Sequence, residues 1–203
     1  MSKKPDSQTI LAIGVLLVSF VALFISVRQT SIMSEQTRLL VEQNKAGAWP
    51  HLELSLTRSF SMSEEGDVEL TGYVIGVTNK GSGPAIVEAV SVKYNGQPVR
   101  NWNELYEVAN RPDSVLLGHS NSSIMNKVVA PNEEINIIDL DGNASLRNFV
   151  FNLGDKISID ICYRSVYEDY WKVSRQGFQT NLEQAKTEKI TGCSVAPEEL
   201  FVE

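Results

Sequence analysis

Residues 10–27 read ILAIGVLLVSFVALFISV, a run with no charge and no proline. As a helix rising about 1.5 Å per residue, this run reaches roughly 27 Å, close to the roughly 30 Å of a bilayer's hydrocarbon core. A core helix of a soluble protein keeps one polar face. This run is apolar all round, interrupted only by Gly14, Ser19 and Ser26. A cleaved signal peptide would end in a small-x-small site, and residues 26–30, SVRQT, offer none. The pattern predicts a retained transmembrane helix over 10–27, preceded by a short tail over 1–9.

Residues 28–45, RQTSIMSEQTRLLVEQNK, hold many helix formers and neither glycine nor proline, so helix is expected to continue out of the bilayer. Ile25, Ile32, Leu39 and Ala46 recur every seven positions, and so do Gln29, Gln36 and Gln43. That is a heptad with one apolar and one glutamine seam position. Two readings stand: a neck through which copies of the chain form a homo-oligomer, or a solvated stalk. Gly47 suits a helix C-terminus, and Pro50 forces Trp49 out of the helical region. The stalk is therefore placed at 28–48, with Trp49 packed on the domain that follows.

After Pro50 the period falls to two. Leu52, Leu54 and Leu56 share one face of a strand over 51–57. Strands are also expected over 68–78, 85–94, 122–129, 135–140, 156–166 and 170–174, with a short return at Pro98 and Val99. Asn95-Gly96 is a two-residue hairpin signal. Asn101 and Glu104 have capping-box spacing and open a short helix reaching about Ala109. Residues 144–152 read as a helical turn or a crossover. Residues 180–189 are polar, helical or without structure, and 197–203 form a loose end. Short strands separated by turns indicate an antiparallel, immunoglobulin-like β-sandwich over 49–178, followed by a polar C-terminal tail over 179–203.

Charge changes the picture of partners. The chain carries 18 Lys and Arg against 25 Asp and Glu, a formal net charge of −7. From residue 46 onward the counts are 13 and 22, or −9. A body this acidic disfavours nucleic acid and anionic headgroups, which need a basic surface. The flanks of the apolar run do not settle its direction: Lys3 and Lys4 stand with Asp6 on one side, Arg28, Arg38 and Lys45 on the other. A single uncleaved N-terminal anchor ordinarily leaves the body outside the cytoplasm, and that extracytoplasmic placement is the expectation.

Cys162 and Cys193 are the two cysteines, compatible with one disulfide on an oxidising side or with two thiols in a reducing one. Paired, they would tie the tail to a strand across about 30 residues, worth about 3 kcal/mol in the chain-entropy picture.

Candidate chemistry is sparse. Asp139, Asp141 and Asn143 begin like a calcium loop, but position six is Ala144 instead of glycine and position twelve is Val150 instead of glutamate. His51 and His119 lack ligands at zinc spacing. The loop Asn79-Lys80-Gly81-Ser82-Gly83-Pro84 joins strand to strand, whereas a phosphate cradle needs a helix after it. No catalytic, cofactor or metal residue is assigned, and no cofactor is expected. Asn121 and Asn143 stand in N-glycosylation sequons. Tyr163, Tyr167, Tyr170 and Trp171 crowd one hairpin. Alternation puts Tyr163 with the core isoleucines and leaves Tyr167, Tyr170 and Trp171 as a candidate partner-binding patch for a protein.

At Val77-Thr-Asn79-Lys-Gly81-Ser-Gly83-Pro84-Ala85 and at Cys162-Tyr163-Arg-Ser-Val166-Tyr167-Glu-Asp-Tyr170-Trp171, the chain resembles small uncharacterised bacterial membrane proteins. Those have one N-terminal span, a polar helical stalk, a Trp-Pro junction and an immunoglobulin-like sandwich. The resemblance implies an architecture and no activity. The function expected is a membrane-anchored, non-catalytic binding or assembly module of the cell envelope. The alternative is a cytoplasmic-facing sensor or effector whose β domain binds a ligand and whose stalk oligomerises.

Overall fold

A computed structural model describes residues 6–63, 66–113, 115, 118–179 and 184–202. The chain divides into two compact units, Met1–Ala46 and Gly47–Glu203.

The first unit is one helix, α1, spanning Ser7–Gly47. The two hydroxyls of the apolar run are satisfied within the helix. Ser19 Oγ donates to the Val15 carbonyl at 2.9 Å, and Ser26 Oγ donates to the Ala22 carbonyl at 2.9 Å. Back-bonding of this kind lets a hydroxyl sit on an otherwise apolar surface. The large apolar side chains of 10–27 are 49% to 70% exposed, and the apolar window of the helix has no buried share. The helix is not buried among the described residues, and its length and composition suffice to cross a membrane.

The second unit holds ten strands and two α-helices among the described residues. The strands are β1 (Leu52–Met62), β2 (Val68–Asn79), β3 (Ala85–Tyr94), β4 (Gln97–Val99), β5 (Ser120–Asn121), β6 (Val128–Val129), β7 (Glu134–Asp139), β8 (Ile157–Arg164), β9 (Tyr170–Gln176) and β10 (Lys186–Ile190). The helices are α2 (Trp102–Val108) and α3 (Ala144–Leu153). One sheet has the order β1-β2-β7-β5, and the other has β10-β9-β8-β3-β4 with β6 also on β3. All pairings are antiparallel. Leu52, Leu54, Ile75 and Val77 of the first sheet share one core with Val92, Ile159, Ile161 and Val173 of the second. The molecule is an N-terminal helix followed by an antiparallel β-sandwich.

Asn101 caps α2 as the spacing predicts, its Oδ1 accepting from Glu104 N at 2.9 Å. Glu104 reaches back one residue further than a capping box, to Arg100 N at 2.6 Å. Asn143 caps α3, a full helix where a turn or crossover was open.

Three expectations are corrected. Residues 122–129 do not form one strand. Pairing is confined to β5 and β6, and between them Ile124 is buried and Asn126 takes a φ of 60°. Lys127 O accepts from Val87 N at 2.9 Å, so this stretch is held on β3 by its far end. The described part of the C-terminal stretch, 184–202, is not a loose tail, and it holds a strand and one 3-10 turn at Pro197–Glu199. Within it, β10 extends the second sheet as an edge strand, while 180–183 and 203 lie outside the described residues. Farther on, Phe201 is 5% exposed. Phe201 N donates to Val90 O at 2.8 Å and Val202 N to Arg100 O at 2.6 Å. The Phe201 bond falls in the gap on the β3 edge between β6, which pairs Ala85 and Ile86, and β4, which pairs Val92 to Tyr94, and the Val202 bond holds the stretch to the residue after β4. The Phe201 ring meets Trp102 edge-on at 5.1 Å.

The entry to the sandwich is held by the glycine-rich loop. A Cβ on Gly83 would overlap the Ala48 backbone, and one on Gly81 would overlap Trp49 and His51. Asn79 is fully buried beside them. Its Oδ1 accepts from His51 N at 3.2 Å and Gly81 N at 3.0 Å, and its Nδ2 donates to Gly83 O and Val129 O, both at 2.9 Å. Trp49 O accepts from Ser82 N at 2.9 Å, whereas the Trp49 side chain is 45% exposed, with its ring 5.0 Å from His51.

Candidate functional site

The hairpin of β8 and β9 carries the aromatic residues singled out in the sequence. Its turn is built around Ser165, whose Oγ accepts from Tyr167 N at 3.1 Å and Asp169 N at 3.3 Å. Ser165 N donates to Asp169 O at 2.9 Å, and Glu168 takes a φ of 60° to close the turn. Successive residues of a strand point to opposite faces. Trp171 accordingly turns inward at 9% exposure and stacks on Tyr163 at 5.9 Å, while Tyr170 is half-buried on the opposite face. Tyr167 reaches solvent at 37%. The three candidates therefore form no continuous aromatic surface. Lys189 on β10 lies over the Trp171 ring at 5.7 Å and pairs with Asp169 at 2.8 Å, closing that corner further.

The outward face of the second sheet is polar and cross-paired. Arg164 meets Glu88 at 2.5 Å, Lys172 meets Glu188 at 2.7 Å, and Lys93 meets Glu199 at 3.7 Å. Their shared hydrogen bond lets Lys172 lower the pKa of Glu188 and Glu188 raise that of Lys172. Cys162 of β8 sits on this face at 4% exposure and is joined to Cys193 by a disulfide, with the Cα atoms 5.7 Å apart. That separation lies within the usual range for such a bond. Cys162 therefore presents no thiolate.

The remaining chemistry-bearing residues are held in structural roles. His119 packs edge-on against Tyr106 at 5.7 Å, in an open cleft of about 400 Å³ that it shares with Ser120, Asp139 and Asn143. Among the described residues no hydrogen bond joins His119 to a serine or carboxylate. His51 is at the domain entry, remote in the chain and in its contacts from His119. Asp141 Oδ1 accepts from Tyr73 N at 3.0 Å, and Asp139 Oδ1 accepts from Asp141 N at 3.0 Å, so the calcium-like stretch is a hydrogen-bonded turn. Among the described residues no three His, Cys, Asp or Glu side chains gather as a metal site. Asn143 spends both ends of its amide, capping α3 and donating to Gly118 O at 3.2 Å. Asn121 is exposed on β5.

Two buried arginines are absent from the sequence reading. Arg147 donates to the carbonyls of Leu70 at 3.0 Å and Asp141 at 2.9 Å, and Arg175 donates to Leu54 O at 3.0 Å while lying over the Phe178 ring at 5.0 Å. Each satisfies backbone acceptors where sheet meets loop. Nothing in an isolated arginine's sequence context distinguishes this role from a surface one. Two tyrosines also titrate unusually. Burial pushes the Tyr163 phenol up to about 12 and the Tyr73 phenol higher still. Tyr163 Oη accepts from Leu52 N at 3.2 Å, and Tyr73 Oη donates to Phe178 O at 2.8 Å.

No family model matches the chain, and no curated protein matches it. Among solved structures, a chain of the archaeal flagellum of Methanospirillum hungatei strain JF1 is similar over 87% of this chain and 94% of that one, at 11% identity and a TM-score of 0.33. The fold described above rests on the strand pairings themselves.

Proposed function

We propose that the chain is a single-pass membrane protein. Residues 10–27 cross the bilayer, and the sandwich serves outside the cytoplasm as a non-catalytic binding or assembly module of the cell envelope. One observation carries this reading. Thirteen large apolar side chains of 10–27 are exposed on every side of α1, while the second unit closes a core of its own. Covering a Leu or Phe is worth about 1.5–3 kcal/mol, so hydrocarbon is the surrounding this helix fits.

Three further features support the reading. The order β1-β2-β7-β5 opposite β9-β8-β3 follows that of strands A-B-E-D opposite G-F-C in an immunoglobulin-like sandwich. Such a scaffold presents surfaces and loops to partners. The Cys162–Cys193 bond belongs on an oxidising side of the membrane. The −9 charge of the body keeps it off anionic headgroups. Protease added to sealed cells tests the placement. The sandwich should be cut while the membrane is intact. Protection until the membrane is opened would overturn the extracytoplasmic reading and favour a cytoplasmic sensor.

A further inference from the structure

From Ile25 in the last turn of the span to Ala46, α1 carries the heptad stripe read in the sequence, which the extracytoplasmic placement proposed above does not draw on. Ile25, Ile32, Leu39 and Ala46 run down one side of it and Met33 and Leu40 down the other, with Gln29, Gln36 and Gln43 between. Ile32, Met33, Leu39 and Leu40 are 51% to 67% exposed. The charges stand elsewhere. Arg38 pairs with Glu35 at 2.6 Å and with Glu42 at 3.0 Å along the flank beside Ile32 and Leu39, and Arg28 lies over the Phe24 ring at the membrane end.

The stripe constrains what covers it. Water leaves two apolar rows unburied. Lipid would strand three amides without partners along the middle, at a cost of some kcal/mol each. A different protein would need the same glutamine row at the same heights. Another copy of this chain brings that row, and membrane anchoring sets every copy parallel and at one depth. A glutamine amide both donates and accepts, so like pairs with like. Any slip other than a whole heptad would set an amide against an isoleucine.

We infer that α1 self-associates through this stripe as a parallel, in-register coiled coil of three copies. The glutamines occupy heptad position a, and Ile25, Ile32, Leu39 and Ala46 occupy d. Ile25 and Ile32 put β-branched residues at two of the four d positions, a placement poorly suited to two strands that shifts the preference to three or more. Met33 and Leu40 at the flanking position e widen the stripe as a third helix requires.

The inference rests on the membrane anchoring proposed above, and its test separates the two. The full-length protein is expressed at low level in membranes, with single cysteines introduced as Gln36→Cys or Ser34→Cys, and is also purified in lipid nanodiscs for mass determination. The expected mass is that of three copies. Gln36→Cys should crosslink chain to chain under mild oxidation, and Ser34→Cys, on the polar face, should not. Gln36→Glu should reduce the mass to that of one copy. Glutamate is as good a helix former as glutamine, so that loss would report on the seam. A wild-type mass of one or two copies, equal crosslinking at both positions, or an unchanged mass for Gln36→Glu would overturn the inference. A chain washed out of the membrane at alkaline pH would instead defeat the anchoring itself.

Discussion

Buried Asn79 uses all four hydrogen-bonding positions of its amide on backbone from the domain entry, the glycine-rich loop and β6. Truncation to alanine would leave two donors and two acceptors unpaired in a dry site. Asn79→Ala should therefore cost roughly 3–5 kcal/mol in chemical denaturation of residues 47–203. The sequence shows this residue only as the start of a turn, because its value comes from Val129, fifty positions away. The phenols give a second prediction at this scale. Tyr163 and Tyr73 have folded pKa values raised above the unfolded value near 10, Tyr163 to about 12. Their contribution to stability is whole below about pH 10 and is lost as pH rises from there through the folded values. Denaturation midpoints should stay level up to about pH 10 and fall between about pH 10 and 12. Tyr163→Phe should be less stable at neutral pH, having left Leu52 N without its acceptor, but should fall less steeply in alkali.

At the scale of elements, the C-terminal stretch is a strap over the second sheet, fixed by β10, by Cys193 and by Phe201. Reducing the disulfide should lower stability by about 3 kcal/mol. It should also release amide protons of 191–202 to exchange while those of β8 stay protected. Uniform loss of protection across the sheet would show the strap to be inseparable from the sandwich. The strap was hidden in the sequence for physical reasons. The edge strand β10 reads Lys-Thr-Glu-Lys-Ile, with no apolar alternation, and Phe201 meets partners about a hundred positions upstream. Strands β8, β9 and the first half of β1 were legible because each buries one face at period two, and β2 and β3 because they are β-rich runs bounded by turn residues. The helix caps at Asn101 and Asn143 are local contacts, and Asn101 was readable for that reason. Composition places Tyr167, Tyr170 and Trp171 together, whereas the pleat, which composition does not show, sends Tyr170 and Trp171 to opposite faces. Gly83 offers a further check. Gly83→Ala has to displace the Ala48 backbone, so it should open the domain entry to limited proteolysis near Trp49 and lower stability by more than about 2 kcal/mol.

For the whole molecule, the claim is a division of labour between one helix that suits lipid and one acidic sandwich that suits water. The first half of that claim was the clearest signal in the sequence, since a long uncharged run needs no tertiary information to be read. The second half needed the strand order, which no local pattern specifies. Membrane fractionation followed by an alkaline wash tests the division most directly, comparing the full chain with a chain that begins at Gly47. The full chain should stay in the membrane pellet, and the shortened one should appear, folded, in the soluble fraction. A full chain recovered in the soluble fraction, or a shortened chain that still sediments with the washed membrane, would contradict the account.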